Sequence, residues 1–318
     1  MLHVRLFGAT RVLDGTRVLG PGDFGGLKPQ RILEALALHR GHQVSKDRLV
    51  DVLWADRPPP DYTATLESYV SLLRRKLQPG TPARKSAIRT VPRGYLLDPD
   101  TVRTDLDLFD DLLSRADNSA GGDALRLLDR ASALASTDLL ASPDETQWAE
   151  PIRADYRQRA VGAALRAAEL ALQDDDADQA AKLAGRVLAL NMLCEPGWRL
   201  VMRAHVATGR RDAALRAYRS CRRLLLRDLG IEPAPETRAV LVDLVRGQRI
   251  ARGSRDTRGP QHARPRGHTA DLGAVLDAAL ALFEHDVTGD DVGRVDDAMH
   301  IMAGLLNRAG SLSGPPNR

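Results

Sequence analysis

Thr63-Ala-Thr-Leu-Glu-Ser-Tyr-Val-Ser-Leu-Leu-Arg-Arg-Lys-Leu77, followed shortly by Ile88-Arg-Thr-Val-Pro-Arg-Gly-Tyr-Leu-Leu97, decides how the first third of this chain folds. In the first segment Leu66, Tyr69, Val70, Leu73 and Leu77 fall on one helical face. Ala64, Ser68, Ser71 and Arg75 lie opposite, with Glu67 and Arg74 at one border and Leu72 at the other. Small polar and basic side chains on an exposed helix face leave room for a duplex to approach. The second segment places strand-forming residues on both sides of Pro92-Arg93-Gly94, the composition of a tight β-hairpin.

The residues upstream complete the pattern. Leu2 to Phe7 alternate apolar and polar, and Arg11 to Leu13 and Arg17 to Leu19 flank Asp14-Gly15, which predicts short strands and a hairpin. Ile32, Leu33, Leu36 and Leu38 predict a helix from Lys28 to His39. A second helix is expected from Ser45, a suitable N-cap, to Trp54, before Pro58-Pro59-Pro60 forces a break. Sheet, three helices and a closing hairpin are the order of a winged helix-turn-helix, expected over residues 1–100.

From Asp105 to Gly247 helical periods replace strand signals, with breaks at Gly121-Gly122, Ser142-Pro143, Asp174 to Asp176, Gly209 and Pro233-Ala-Pro235. Asp178-Gln-Ala-Ala181 recurs as Arg211-Asp-Ala-Ala214, close to the tetratricopeptide period, and Trp198, Gly209, Ala214 and Tyr218 keep that repeat's spacing. Stacked helical hairpins of this kind bury their apolar faces on each other and offer a concave surface to partners. The predicted fold class is therefore α+β: a winged helix-turn-helix, then an all-α tetratricopeptide-like domain over 101–248. Residues 249–269, rich in Arg, Gly and Pro, are expected to be a basic disordered linker, and 270–318 a short tail of two amphipathic helices.

Composition narrows the function classes. Of 46 basic residues only five are lysine (Lys28, Lys46, Lys76, Lys85 and Lys182), so the positive charge is mostly guanidinium, which suits phosphate and guanine contacts. Residues 1–100 hold 16 basic and 10 acidic side chains, whereas 101–248 hold 21 and 23, so the basic excess sits in the amino-terminal domain. No apolar run approaches the length of a membrane span and no apolar signal core opens the chain, which predicts a cytoplasmic, nucleoid-associated protein with no membrane partner. Cys194 and Cys221 have no metal-type spacing and are expected to be buried free thiols. The eight histidines are scattered, and no nucleophile elbow, dinucleotide fingerprint or phosphate loop occurs, so no metal, cofactor or enzymatic activity is expected.

Two motif sets then carry a resemblance. Leu53-Trp54, Pro58-Pro59, Thr65-Leu66, Tyr69-Val70-Ser71, Leu73-Arg74-Arg75-Lys76-Leu77 and Thr90-Val-Pro-Arg-Gly-Tyr-Leu-Leu97 resemble the OmpR-type winged helix of the SARP family of antibiotic regulatory proteins. Ala204-His205, Gly209, Ala214-Leu215, Tyr218, Leu229-Gly-Ile-Glu-Pro233 and Pro235-Glu-Thr-Arg238 look like that family's bacterial transcriptional activation domain. The resemblance covers about residues 1–247. It implies a transcriptional activator that binds direct repeats of promoter DNA, as a homodimer on the DNA, beside RNA polymerase and its sigma factor, upstream of genes for antibiotics or other secondary metabolites.

In an OmpR-type domain the third helix enters the major groove and the hairpin crosses the next minor groove. This assigns Thr63, Thr65, Ser68, Ser71, Leu72 and Arg75 to base edges or the facing backbone, and Arg74 and Lys76 to phosphates. Arg93 becomes the minor-groove residue. Lys28, Gln30 and Arg31 at the start of the first helix, with Lys46 and Arg48, are expected near phosphate. Two other readings compete: a protein-interaction scaffold whose winged helix does not read DNA, and a regulator gated by a small molecule.

Overall fold

A computed structural model describes residues 1–55, 57–141 and 147–245. The expected linker 249–269, the expected tail 270–318, the predicted break at Ser142-Pro143 and the last residues of the expected helical domain lie outside the described residues.

The chain opens with β1 (Leu2–Arg5), β2 (Arg11–Asp14) and β3 (Arg17–Leu19), joined as antiparallel neighbours. Alternation puts Leu2, Val4, Val12 and Leu19 inward and His3, Arg5 and Arg11 outward, the pattern of a sheet with one solvated face. A single 3-10 turn, Pro21–Phe24, buries Phe24 and leads into α1 (Leu27–Leu38). The short β4 (Val44–Ser45) precedes α2 (Lys46–Trp54), whose first turn is capped by the Ser45 hydroxyl accepting from the Arg48 N–H at 3.1 Å. Next come α3 (Tyr62–Leu77), β5 (Ile88–Val91) and β6 (Gly94–Leu97), the last two forming the hairpin, with β4 on the other side of β6.

Two strands go beyond those the sequence predicts: the two-residue β4, and β7 (Val102–Thr104), which pairs in parallel with β1 and completes the first sheet in the order β3-β2-β1-β7. Strand β7 feeds directly into α4 (Asp105–Asp117), capped by a reciprocal pair in which Thr104 and Asp107 each accept the other's backbone N–H. Asp105 is buried and accepts the N–H groups of Leu6 and Phe7, all at 2.9 Å, so the start of α4 is bolted to the end of β1. Burial pushes the Asp105 carboxyl above the ordinary carboxylate range, against the opposing pull of those N–H donors.

Helices α5 (Gly121–Leu134), α6 (Glu150–Gln173), α7 (Ala177–Leu190), α8 (Glu195–Ala207), α9 (Arg211–Leu229) and α10 (Pro235–Val245) follow, with boundaries close to those the Gly, Asp and Pro breaks predict. Two compact units result. The first comprises residues 1–170 with 182–192, and the second comprises 171–181 with the described residues from 193 onward. In the first, one hydrophobic core runs without interruption from Leu2 and Ile32 through Leu66 and Leu97 to Phe109, Leu139 and Ala160. The expected division at residue 100 therefore crosses a continuous core. Phe7, Phe109 and Tyr156 meet ring to ring at 5.5 to 5.8 Å, and the Arg159 guanidinium lies over Phe109 and Tyr156 while pairing with Asp110. Asp110 also accepts from Arg40, which comes from the turn after α1.

In the second unit α8 and α9 pack as a hairpin through Met202, Ala214, Leu215 and Tyr218, and α10 adds Leu241 and Leu244. Glu195 fixes the start of α10 by accepting from Ala234 N–H at 2.8 Å and from the Thr237 hydroxyl at 2.6 Å. The two related segments both open helices, α7 and α9, and Arg210 pairs with Asp178 across them at 3.0 Å. Both cysteines are free, but only Cys221 is buried, its thiol pushed up to about 12 by burial. Cys194 is half-buried, a correction that follows from its place at the N-cap of α8.

Candidate nucleic-acid interface

The third helix sorts its side chains as its periodicity demands. Leu66, Val70, Leu73 and Leu77 are almost fully buried, Tyr69 is half-buried, and Thr63, Ser68, Ser71, Arg75 and Lys76 are exposed, with Thr65 half-buried at one border. Arg17 from β3 donates to the Lys76 carbonyl at 2.8 Å, supplying one of the unpaired carbonyls at the helix end. Nothing in the local sequence of α3 announces that partner. Trp54 and Tyr69 stack with ring centroids 6.4 Å apart, and the Lys28 ammonium sits 5.0 Å from the Trp54 ring. One residue from each of α1, α2 and α3 is thereby held in a single column.

The hairpin is fixed to the same framework. Gln43 donates to the Pro92 carbonyl at 2.6 Å, and the Lys46 N–H donates to the Arg93 carbonyl at 2.9 Å. Gly94 is obligatory here, because a Cβ at this position would lie 2.1 Å from the Val44 carbonyl oxygen. Arg93 occupies the left-handed region at φ 66° and is exposed at the tip. Arg74 joins α3 to the hairpin, donating to the Ile88 carbonyl at 3.0 Å and the Thr90 hydroxyl at 2.8 Å with its guanidinium 6.0 Å from the Tyr95 ring. Burial lowers the Arg74 pKa and raises that of Tyr95, each favouring the less charged form. Lys46 pairs with Glu67 at 2.6 Å, and this hydrogen bond raises the Lys46 pKa.

The geometry thus divides the sequence-predicted contact residues. Thr63, Ser68, Ser71, Arg75 and Lys76 share the exposed side of α3. Arg93 tips the hairpin, and Arg48 is exposed on α2. Among the described residues Arg48, Arg75 and Arg93 have no acidic partner. Others are committed elsewhere. Gln30 is 5% exposed and donates to Glu34 at 2.8 Å, so it faces the core and not phosphate. Leu72 is half-buried over Gly25, whose missing Cβ would stand 2.5 Å from the Leu72 side chain, so it packs against a turn and does not meet a base. Lys28 is half-buried against Trp54, Arg31 is half-buried, and Arg74 is an internal strut of the domain. For α1 the difference has one cause: the start of this helix packs against the Pro21–Phe24 turn and is not an open helix end.

Comparison with known proteins agrees with this architecture. Residues 27–97 match the family described as transcriptional regulatory protein, C terminal, and residues 104–244 match the bacterial transcriptional activator domain. The chain is 30% identical over 246 residues to the regulatory protein AfsR of Streptomyces griseus, an alignment covering 74% of this chain and 24% of AfsR. It is 27% identical over 239 residues to the transcriptional regulatory protein MoaR1 of Mycobacterium tuberculosis, covering 74% and 76%. With the regulatory protein DnrI of Streptomyces peucetius it shares 28% over 225 residues, covering 65% and 79%. The solved structure of Mycobacterium tuberculosis EmbR, in complex with a low affinity phosphopeptide, superposes with a TM-score of 0.66 at 24% identity, over 89% of this chain and 71% of that one. Among the described residues no helix is long and apolar enough to cross a membrane. With an OmpR-type winged helix followed by the bacterial transcriptional activator domain, the chain belongs to the SARP family of DNA-binding transcriptional regulators.

Proposed function

We propose that this protein is a pathway-specific activator of genes for an antibiotic or another secondary metabolite. It binds direct repeats near a promoter as a homodimer on the DNA and recruits RNA polymerase with its sigma factor, at the nucleoid. The observation that carries the reading is the pairing of two unpartnered arginines, Arg75 on the open face of α3 and Arg93 at the hairpin tip, on one rigid framework.

Ser68, Ser71 and Arg75 are short or bidentate donors suited to base edges, and Thr63 and Lys76 suit the flanking backbone. Arg93 suits a narrow minor groove. Arg48 and the outer flank of Lys46 add phosphate contacts. The helical hairpins of the activator domain provide the surface for the transcription machinery.

The test is footprinting of the purified chain on upstream regions of its own gene neighbourhood, with and without RNA polymerase. A protected direct repeat, strengthened by polymerase, is expected. Arg75→Ala should cost about 1–3 kcal/mol at the cognate repeat and relax base preference, whereas Arg93→Ala should flatten the salt dependence by about one phosphate equivalent. Salt-insensitive behaviour, or protection unchanged in both variants, refutes the assignment.

A further inference from the structure

A cleft of about 320 Å³ opens in the first unit, between the start of α1, the turn before it and the segment after α5. Its apolar walls include Pro21 from the turn before α1, Leu27 from the start of α1 and Leu140 from the segment after α5, and its polar lining is Thr10, Gln30 and Glu34. Glu34 is 2% exposed. Its Oε1 accepts two hydrogen bonds, from the Thr10 hydroxyl at 2.5 Å and from Gln30 Nε2 at 2.8 Å. Its Oε2 takes none from the described residues, although the side chain lines the cleft. A nearly buried carboxylate with one oxygen satisfied and the other turned to an otherwise neutral pocket has no role in DNA contact or in the helix column.

We propose that this cleft is a binding site for a small organic cation, whose N–H donor pairs with the free Glu34 oxygen while its apolar body fills the space between Pro21, Leu27 and Leu140. Buried charge is tolerated when it is paired, and a charge-assisted hydrogen bond is the strongest pairing the site can offer. None of the residues lining the cleft is basic, so no internal cation satisfies that oxygen from its walls. The charges of Arg31 and Arg153 both lower the Glu34 pKa, but neither residue lines the cleft, and Arg153 is occupied by the Leu139 and Leu140 carbonyls at 2.8 and 2.6 Å. Burial outweighs these charges and holds the carboxyl above its ordinary range, so a bound cation also restores the ionised form. Thr10 and Gln30 fix the carboxylate plane and so set the direction from which the cation must approach. The volume is at the small end of ligand pockets, which selects compact amines over large ones.

The experiment is ligand-observed NMR titration of the full chain with methylammonium and benzylammonium, and with benzyl alcohol as the neutral isostere of the latter. At least one ammonium is expected to bind saturably, with Kd on the order of millimolar for so small a probe. Glu34→Gln should weaken it about ten- to a hundred-fold by removing the charge from the hydrogen bond. Benzyl alcohol should bind no more tightly than the ammonium binds that variant. Absence of saturable binding by either ammonium, equal affinity for benzyl alcohol and benzylammonium, or equal affinity in the wild type and Glu34→Gln would overturn the proposal. Circular dichroism verifies the fold of Glu34→Gln; if that variant unfolds, the amine and alcohol comparison on the wild-type chain decides alone.

Discussion

Glu34 illustrates how far a single residue's chemistry can depart from its sequence context. On α1 its neighbours Ile32, Leu33, Ala35 and Leu36 mark a buried face, and a glutamate among them is the exception that only burial geometry makes visible. Its folded-state pKa is raised above 4.5, chiefly by desolvation. A carboxyl with a raised folded pKa binds more protons in the native than in the unfolded chain, so stability falls as pH rises from the unfolded value through the folded one. Each unit of such a shift costs about 1.4 kcal/mol at neutral pH. Glu34→Gln, which cannot ionise, should therefore gain in Tm relative to the wild type between pH 4 and pH 7. Thermal melts at both values check this; a difference that shrinks with rising pH refutes it.

At the scale of elements, the hairpin and α3 act as one piece. Arg74 spans them, Gln43 and Lys46 hold the turn, and Gly94 permits β4 and β6 to approach. Gly94→Ala must push the Val44 backbone aside, since no side-chain rotation can relieve a 2.1 Å approach to a carbonyl oxygen. A loss of about 2–4 kcal/mol is expected, in the range of backbone strain and lost strand pairing, read by urea unfolding. DNA affinity should fall with it even though Gly94 presents no side chain. Element boundaries were largely legible: the amphipathic period of α3, the Ser45 cap of α2 and the Pro92-Arg93-Gly94 turn are local codes. The strand β7 was not, because Val102-Arg-Thr104 is too short to carry a period and its partner β1 lies a hundred residues earlier in sequence.

For the whole first unit, that pairing changes what counts as a domain. A fragment ending at residue 100 would lose β7, the Asp105 carboxylate that holds the Leu6 and Phe7 N–H groups, and the Phe109 and Tyr156 rings against Phe7. It would expose the inner side of β1 and leave those N–H groups unpaired, each costing about 1–3 kcal/mol if buried. Such a fragment is expected to melt broadly and to bind DNA far more weakly than the full chain, by calorimetry and gel shift. A sharp transition with retained affinity would show instead that the winged helix stands alone.

The sequence by itself determined the kind of elements, their order and the two family signatures, because helical period, caps, prolines and turn glycines act through neighbours a few residues apart. It also singled out Arg75 and Arg93, which lie on an exposed face and a hairpin tip that periodicity can locate. Which basic residues are spoken for was decided only in three dimensions. Lys28 turns to Trp54, Arg74 to the hairpin and Arg17 to the end of α3, each through a partner supplied by another segment of the chain. A side chain's charge is written in the sequence, but whether that charge is free to meet a phosphate depends on what folding brings within 3 Å of it.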